Sequence, residues 1–225
     1  MLDLSLRLKT IASLVPFGAR VCDVGTDHGY LSIYLKQSGI SNRIIASDLR
    51  PAPLASAKNN MENLNVTGID LRLGSGLETV QKDEVDTVII AGMGGEVISA
   101  ILSECDWIKS KNYTLILQPT TSAEVLRKYL YETGFETIEE IPIAENGKLY
   151  AIMKCQFSNT PCKMEDSFYY IGKITPNNEH GKLYLQKQQK RVLTCFLALK
   201  NIPSKQNEYK YYKTIYNEIT KILER

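Results

Sequence analysis

The chain has 225 residues, 44% of them hydrophobic, with 27 Lys and Arg set against 25 Asp and Glu. That suits one ordinary domain with a small appendage and is apolar enough for a buried core, which excludes global disorder. No run approaches the roughly 18 uninterrupted apolar residues a membrane span requires, so no membrane association is expected.

The opening stretch MLDLSLRLKTIASLVPFG mixes charges with apolar residues and lacks the basic–apolar–small plan of a signal peptide. Leu4, Leu8, Ile11 and Val15 share one face and predict an amphipathic helix. Short apolar runs then alternate with amphipathic ones. Strands are expected at Arg20–Val24, Arg43–Ser47, Ile69–Leu73, Val85–Ala91 and Thr114–Leu117. Helices are expected at Tyr30–Ser38, Pro53–Leu64, Glu96–Glu104 and Ser122–Thr133, two of them stopping at Gly39 and Gly134. The unbroken apolar character of VDTVIIA and TLILQ fits central parallel strands covered on both faces. The alternation implies an α/β doubly wound sheet with right-handed crossovers.

The later chain changes character. Glu136–Ala144 and Leu149–Phe157 flank Glu-Asn-Gly-Lys, whose Asn-Gly pair signals a tight hairpin. Residues 158–168 lose periodicity and mark a boundary between two parts, 1–160 and 161–225. Helices follow at Leu183–Lys200 and Lys205–Glu224. Tyr209, Tyr212, Tyr216, Ile219 and Leu223 form a 3-4-3-4 seam on the second, opposite Leu185, Val192, Phe196 and Leu199 on the first. The tail therefore reads as a small α-helical hairpin with coiled-coil-like packing. Residues 1–162 carry 15 basic and 19 acidic side chains, and residues 163–225 carry 12 and 6. The basic surplus of the tail suggests a polyanionic partner, with a solvated helical face as the plain alternative. The five cysteines are scattered without a C-x-x-C pair and the histidines number two, so neither a disulfide framework nor a metal site is expected. A reduced, cytoplasmic setting follows.

Three constellations could carry chemistry. Val21-Cys22-Asp23-Val24-Gly25-Thr26-Asp27-His28-Gly29-Tyr30 sits at a strand-to-helix turn, where Gly25 and Gly29 permit a sharp bend and close approach of a ligand. Asp27 stands where a dinucleotide fingerprint would place its second glycine. An acidic loop repels a pyrophosphate but suits the ammonium and sulfonium groups of S-adenosylmethionine, Asp23 orienting the amino group. A tight turn with no ligand is the competing reading. Asp48, ending the second strand, is placed to accept both ribose hydroxyls of a nucleoside cofactor or to cap the next helix. Ala91-Gly92-Met93-Gly94-Gly95-Glu96 ends the fourth strand with small residues that leave room for a flat base, or for close strand–helix packing. It lacks the Asn/Asp-Pro-Pro-Tyr/Phe tetrapeptide of many N6-adenine methyltransferases.

With these motifs together, the sequence resembles the bacterial tRNA (adenine-22-N1)-methyltransferase family of class I S-adenosylmethionine-dependent methyltransferases. The resemblance runs through Leu6-Arg7-Leu8, the Asp23–Leu31 loop, Asp48, the Gly74–Leu77 turn, Ala91–Glu96, Gln118-Pro119 and the basic tail. It implies a Rossmann-like catalytic part over 1–160 that binds S-adenosyl-L-methionine and a tRNA-binding hairpin over 161–225. It implies methylation of N1 of an adenine in the D arm. The family loop usually reads S-D-H-A-Y-L-P, and Thr26, Gly29 and Ser32 depart from it here. Ser75 stands where the family's G-D-G-L turn is acidic. The expected cofactor set is Asp23, Gly25, Thr26, His28, Asp48, Leu49, Ser75, Gly76, Ala91, Gly92 and Met93. The expected substrate set is Arg7, Gly94, Gly95, Gln118 and Pro119, with Lys187, Lys190, Arg191, Lys210 and Lys213 for phosphates. Asp27 and Tyr30 are the catalytic candidates, Asp27 either stabilising the cationic base or shaping the cofactor loop, and Tyr30 either functional or packing. No metal and no obligate protein partner are expected. Methylation of another acceptor, and a non-catalytic RNA-binding protein with a nucleoside pocket, are the alternative readings.

Overall fold

The computed structural model describes residues 2–224. Eight helices and seven strands follow one another along these residues: α1 (Leu6–Ser13), β1 (Arg20–Val24), α2 (Tyr30–Gln37), β2 (Arg43–Asp48), α3 (Pro51–Asn63), β3 (Ile69–Leu73), β4 (Thr87–Gly94) and α4 (Gly95–Ser103) in the first half. The second half holds β5 (Thr114–Thr121), α5 (Ala123–Glu132), β6 (Phe135–Glu145), β7 (Lys148–Phe157), α6 (Asp166–Ile171), α7 (Glu179–Leu199) and α8 (Gln206–Leu223). The strand order is β3-β2-β1-β4-β5-β7-β6. β1 to β5 run parallel, and β7 lies antiparallel between β5 and β6. The expected α/β sheet, the closing hairpin and the helical tail are all present.

Period two explains how this sheet is covered on both faces. Val88 and Ile90 of β4, with Leu115 and Leu117 of β5, enter a core beneath α4, α5 and the C-terminal helices. Ile89 and Ile116 point the other way, into a core with Leu4 and Ile11 from the N-terminal segment and Leu31, Ile33 and Leu35 of α2. Each central strand therefore needs apolar residues at every position.

β4 and β5 run three and four residues beyond the predicted ends, because the register shifts between Ala91, Met93 and Gly94. Gly92 takes up that irregularity at φ +81°, a conformation costly for other residues. α3 begins two residues earlier than predicted, with Pro51 in its first turn, where a missing N–H costs nothing.

α6 was not anticipated. It falls partly inside the aperiodic stretch, and Ser167, Tyr169, Tyr170 and Ile171 are buried. Arg127 of α5 holds its end: Nη1 donates to the carbonyls of Tyr169 at 2.7 Å and Tyr170 at 3.0 Å. The same guanidinium reaches Glu140 of β6 at 2.6 Å and the Tyr184 hydroxyl of α7 at 2.9 Å. Arg127 and Glu140 side chains are each only 1% exposed. Four elements thus meet on one buried cation.

The tail is an antiparallel helical pair in which Phe196 packs edge-on against Tyr209 and Tyr216, at 5.9 and 5.3 Å between centroids. The seam of α8 includes Ile215, which the predicted spacing passed over, beside Ile219; both are essentially inaccessible. Leu185, Val192, Ile215 and Ile219 join the same apolar cluster as Cys22, Val88 and Leu115 of the sheet. Helices and sheet share one core.

Candidate active site

In an open α/β sheet the crevice lies beyond the carboxyl ends of the strands, where the chain order reverses. Here that point falls between β1 and β4. The β1–α2 loop makes its turn with three left-handed residues, Gly25 at φ +74°, Asp27 at +52° and Gly29 at +73°. The Ser47 carbonyl of β2 accepts the N–H groups of Gly25 at 2.8 Å and Thr26 at 3.0 Å and so fixes the bend. Gly29 lies so close to α3 that an added Cβ would stand 2.9 Å from the Ala57 methyl.

Asp23 is 4% exposed, and one carboxylate oxygen accepts from the hydroxyls of Thr26 and Ser32, both at 2.8 Å. Burial pushes its pKa above the ordinary carboxylate value; the two hydroxyls oppose that shift and the charge of Asp48 adds to it. A cation delivered nearby would relieve this cost. Asp48, 6% exposed at the end of β2, accepts the Arg50 N–H at 2.9 Å, with the Arg50 guanidinium 3.6 Å from the same oxygen. Among the described residues its other oxygen has no side-chain or backbone partner.

A cleft of about 230 Å³ gathers Gly25, Asp48, Leu49, Ser75, Gly76 and Met93. Val24, Arg50, Gly74, Val97 and Ile101 complete its wall, and of these no motif singled out Arg50, Val97 or Ile101. Exposure of Leu49 at 68% and Val97 at 51% marks the apolar rim. A side chain on Gly25 would collide with the Met93 methyl, so Met93 lies across this glycine. Ser75 N–H donates to Glu78 at 2.7 Å, which puts a carboxylate beside the position where the turn lacks its usual acid. Of the expected cofactor set, Asp23, Thr26, His28, Ala91 and Gly92 do not line the cleft; Asp23 and Thr26 are buried beside it, Ala91 is half-buried, and His28 and Gly92 are exposed.

Asp27, His28 and Tyr30 stand on the outer face of the loop. Tyr30 is 41% exposed and its ring stacks on His28 at 5.4 Å. Asp27 is 67% exposed, with its carboxylate 3.7 Å from the His28 ring nitrogen. The arrangement leaves a carboxylate and a flat aromatic pair open to an incoming base.

Arg7 reaches the same end of the sheet from α1. It donates to the Gln118 side-chain oxygen at 2.7 Å, lies 3.6 Å from Glu145, and has the Tyr150 ring beneath it at 5.9 Å. Gln118 is inaccessible and spends its amide N–H on the Pro119 carbonyl. It holds Arg7 in place in this structure, and Glu145 and Tyr150 are further partners of Arg7 that no motif revealed. Gly95 cannot carry a side chain, because a Cβ there would meet the Ser122 carbonyl, and at Gly94 it would stand 3.1 Å from the Thr121 hydroxyl. These two glycines let β4 and β5 close up.

Of the five basic candidates, Lys187 and Arg191 line a separate cavity with Pro119. Lys190 is exposed on α7, while Lys210 and Lys213 stand on α8, the latter 5.7 Å over the Tyr209 ring. Among the described residues no cluster of His, Cys, Asp and Glu is arranged to hold a metal, and no helix is long and apolar enough to cross a membrane.

Residues 4–153 match the model of a family described as a methyltransferase domain. The tRNA (adenine(22)-N(1))-methyltransferase of Bacillus subtilis is 37% identical over 153 residues, which cover 68% of this chain and 64% of that protein, just under two thirds of its length. The solved structure of the B. subtilis M1A22 tRNA methyltransferase TrmK superposes with a TM-score of 0.88 at 26% identity, covering 99% of this chain and 100% of that one. A candidate tRNA (m1A22) methyltransferase of Streptococcus pneumoniae, solved with S-adenosyl-L-methionine, superposes with a TM-score of 0.82 at 31% identity, covering 98% and 100% of the two chains. With this fold, this crevice and these likenesses, the chain belongs to the methyltransferase domain family and, within it, to the tRNA (adenine-22-N1)-methyltransferases.

Proposed function

We propose that this protein transfers the methyl group of S-adenosylmethionine to N1 of adenine 22 in the D arm of tRNA. The observation that carries the reading is the cleft at the β1–β4 reversal, which sets left-handed Gly25, overlain by the Met93 side chain, beside the nearly buried carboxylate of Asp48. These residues fit the cofactor by their chemistry. The other oxygen of Asp48 suits a ribose diol, the apolar wall of Leu49, Val97 and Ile101 suits a purine, and buried Asp23 suits an ammonium group. Asp23, Gly25, Thr26, Asp48, Leu49, Ser75, Gly76 and Met93 hold it, with His28, Ala91 and Gly92 at the edge.

When bound, S-adenosylmethionine supplies an electrophilic methyl group on its sulfonium. N1 of adenine carries its own lone pair, so no residue has to remove a proton. Alignment is the main demand, and it is worth up to about 7–11 kcal/mol in favourable cases. Arg7, held by Gln118 and Glu145, orients the RNA, and the Gly92–Gly95 segment leaves room for the base. Asp27 faces the positive charge that the base acquires. At about 4 Å and an effective dielectric near 20 that attraction approaches 4 kcal/mol. With a side chain 67% exposed, solvent screening reduces it to about 1 kcal/mol, or roughly fivefold in kcat. Tyr30 and His28 offer a stacking surface for the exposed base. Lys187, Lys190, Arg191, Lys210 and Lys213 grip phosphates without reading sequence.

The test is methyl transfer from labelled S-adenosylmethionine to unmodified tRNA transcripts, followed by mapping of the modified nucleotide. Label at N1 of adenine 22 is expected. Cofactor binding without label in any tRNA would overturn the assignment of acceptor. Asp27→Asn is the informative variant, since asparagine tolerates the left-handed backbone at this position. It should lower kcat and leave cofactor affinity unchanged; a matching fall in affinity would reduce Asp27 to a loop-shaping residue.

A further inference from the structure

Beyond the cofactor cleft lies a second cavity, of about 350 Å³, between the ends of β5 and β7 and the flank of α7. It shares no lining residue with the cleft. The two are nevertheless neighbours, because the Thr120 hydroxyl in its wall donates to the Met93 carbonyl at 3.1 Å. Tyr150, also in the wall, carries the Arg7 guanidinium over its ring.

Gln188 decides what the cavity could take. It is 93% buried by its 7% exposure, it lines the cavity, and its amide has no hydrogen-bond partner among the described residues. Its amide oxygen and nitrogen face the cavity rather than being sealed in the core, so a group that both donates and accepts would find them available there. Such complementary edges belong to nucleobases. Lys187 and Arg191 flank it one helical turn apart on α7. Lys187 donates to the Leu149 carbonyl at 3.3 Å, Arg191 pairs with both oxygens of Glu124 and lies 5.6 Å over the Tyr170 ring, and both side chains remain exposed. Ser122 adds a hydroxyl at the entrance to α5. A base-sized hollow with an unpaired amide inside, an aromatic ring in its wall and cations at its mouth has the chemistry of a nucleotide site.

We propose that this cavity receives a second nucleotide of the tRNA, one flanking the methylated adenine, with its base on Gln188 and Tyr150 and its phosphate at Lys187 and Arg191. The proposal rests on the tRNA reading above and adds to it how the acceptor is exposed. Lodging a neighbour in its own pocket would offset part of the unstacking cost that presenting N1 imposes.

The experiment uses tRNA transcripts with 2-aminopurine at the methylated position or at either neighbour. Binding of the wild-type enzyme should raise the fluorescence of one neighbour. Gln188→Leu should abolish that rise and increase KM for tRNA by about threefold to tenfold, the worth of one or two lost hydrogen bonds. Calorimetric affinity for S-adenosylmethionine should match wild type, which verifies the fold. Gln188→Glu, of equal size, should weaken tRNA binding as well, because a carboxylate opposes the phosphate. A wild-type KM and an undiminished neighbour signal in Gln188→Leu would refute the pocket. So would loss of the signal at the acceptor position alone, which would make the cavity the acceptor site. No methyl transfer to tRNA by the wild-type enzyme would instead overturn the tRNA reading, and this proposal with it.

Discussion

Replacing Arg127 by methionine keeps an unbranched apolar stem and removes all five donors at its end. Those donors are fully used: two on Glu140 at 3.0 and 2.6 Å, two on the carbonyls of Tyr169 and Tyr170, and one on the Tyr184 hydroxyl. In the variant, Glu140 keeps, among the described residues, only the Lys173 N–H at 2.8 Å, and its charge stays buried. The carbonyls at the end of α6 lose their cap. Removing one partner of such a pair costs about 3–5 kcal/mol, against a total stability of about 5–15 kcal/mol for an ordinary domain. Guanidinium unfolding followed by circular dichroism at pH 7 should show a large fall in midpoint with little change in slope. The double variant Arg127→Met with Glu140→Leu should recover most of the loss, since no charge is then stranded. A loss below about 1 kcal/mol for Arg127→Met, the range of an exposed pair, would refute this reasoning. A double variant no better than the single one would also refute it.

Three further outcomes are expected. Asp23 has a folded pKa raised above its ordinary 3.8, so both states are neutral well below that pH, and ionisation erodes stability as pH climbs through the raised value. Asp23→Asn should therefore melt higher than wild type at neutral pH and lose that advantage in acid, while binding S-adenosylmethionine at least about tenfold more weakly; a melting difference independent of pH would contradict this. Glu84 behaves oppositely: hydrogen bonds from Arg72 and from the Gln81 N–H hold its pKa down at about 2. Its contribution is complete above 4.5 and disappears as pH falls towards about 2, so the melting deficit of Glu84→Gln should close over that interval. Gly25→Ala forces a left-handed backbone on alanine, at about 1–2 kcal/mol, and adds a collision with Met93. Cofactor affinity should drop by at least tenfold in calorimetry, and wild-type affinity would show that the ligand does not approach this glycine.

Much of the sheet was legible because each central strand is apolar at every position and each crossover helix is amphipathic. The Asn-Gly turn at residues 146–147 announced the antiparallel pair with the same clarity. What escaped was determined at long range. α6 has only six residues, too few for a period, and its end is capped by an arginine some forty positions earlier in the chain. Arg127 itself reads as a solvent-facing charge on an amphipathic helix, since nothing local announces Glu140 or Tyr184. In the candidate site, Gly25 and Asp48 could be read because backbone freedom and a strand-end carboxylate leave local marks. Gln188 could not, standing among Gln186, Gln189 and lysines on a polar helix, where only the packing of α7 on β7 makes it an inward residue. The addition of Ile215 to the seam has the same origin, because α8 rests on α6 as well as on α7.

The core shared between sheet and tail bears on how the protein is made. One apolar cluster runs from Cys22 in β1 to Ile219 in α8. During vectorial synthesis the catalytic sheet exists long before the helices that cover its second face. Until Ile215 and Ile219 leave the ribosome, Leu185 and Val192 have no cover, and the nascent chain presents an apolar surface of the kind chaperones retain. A ribosome-stalled fragment that possesses every residue of the β1–α2 loop still lacks Ile215 and Ile219 of this shared core, and that missing cover is a feature by which quality control could distinguish it from the finished chain.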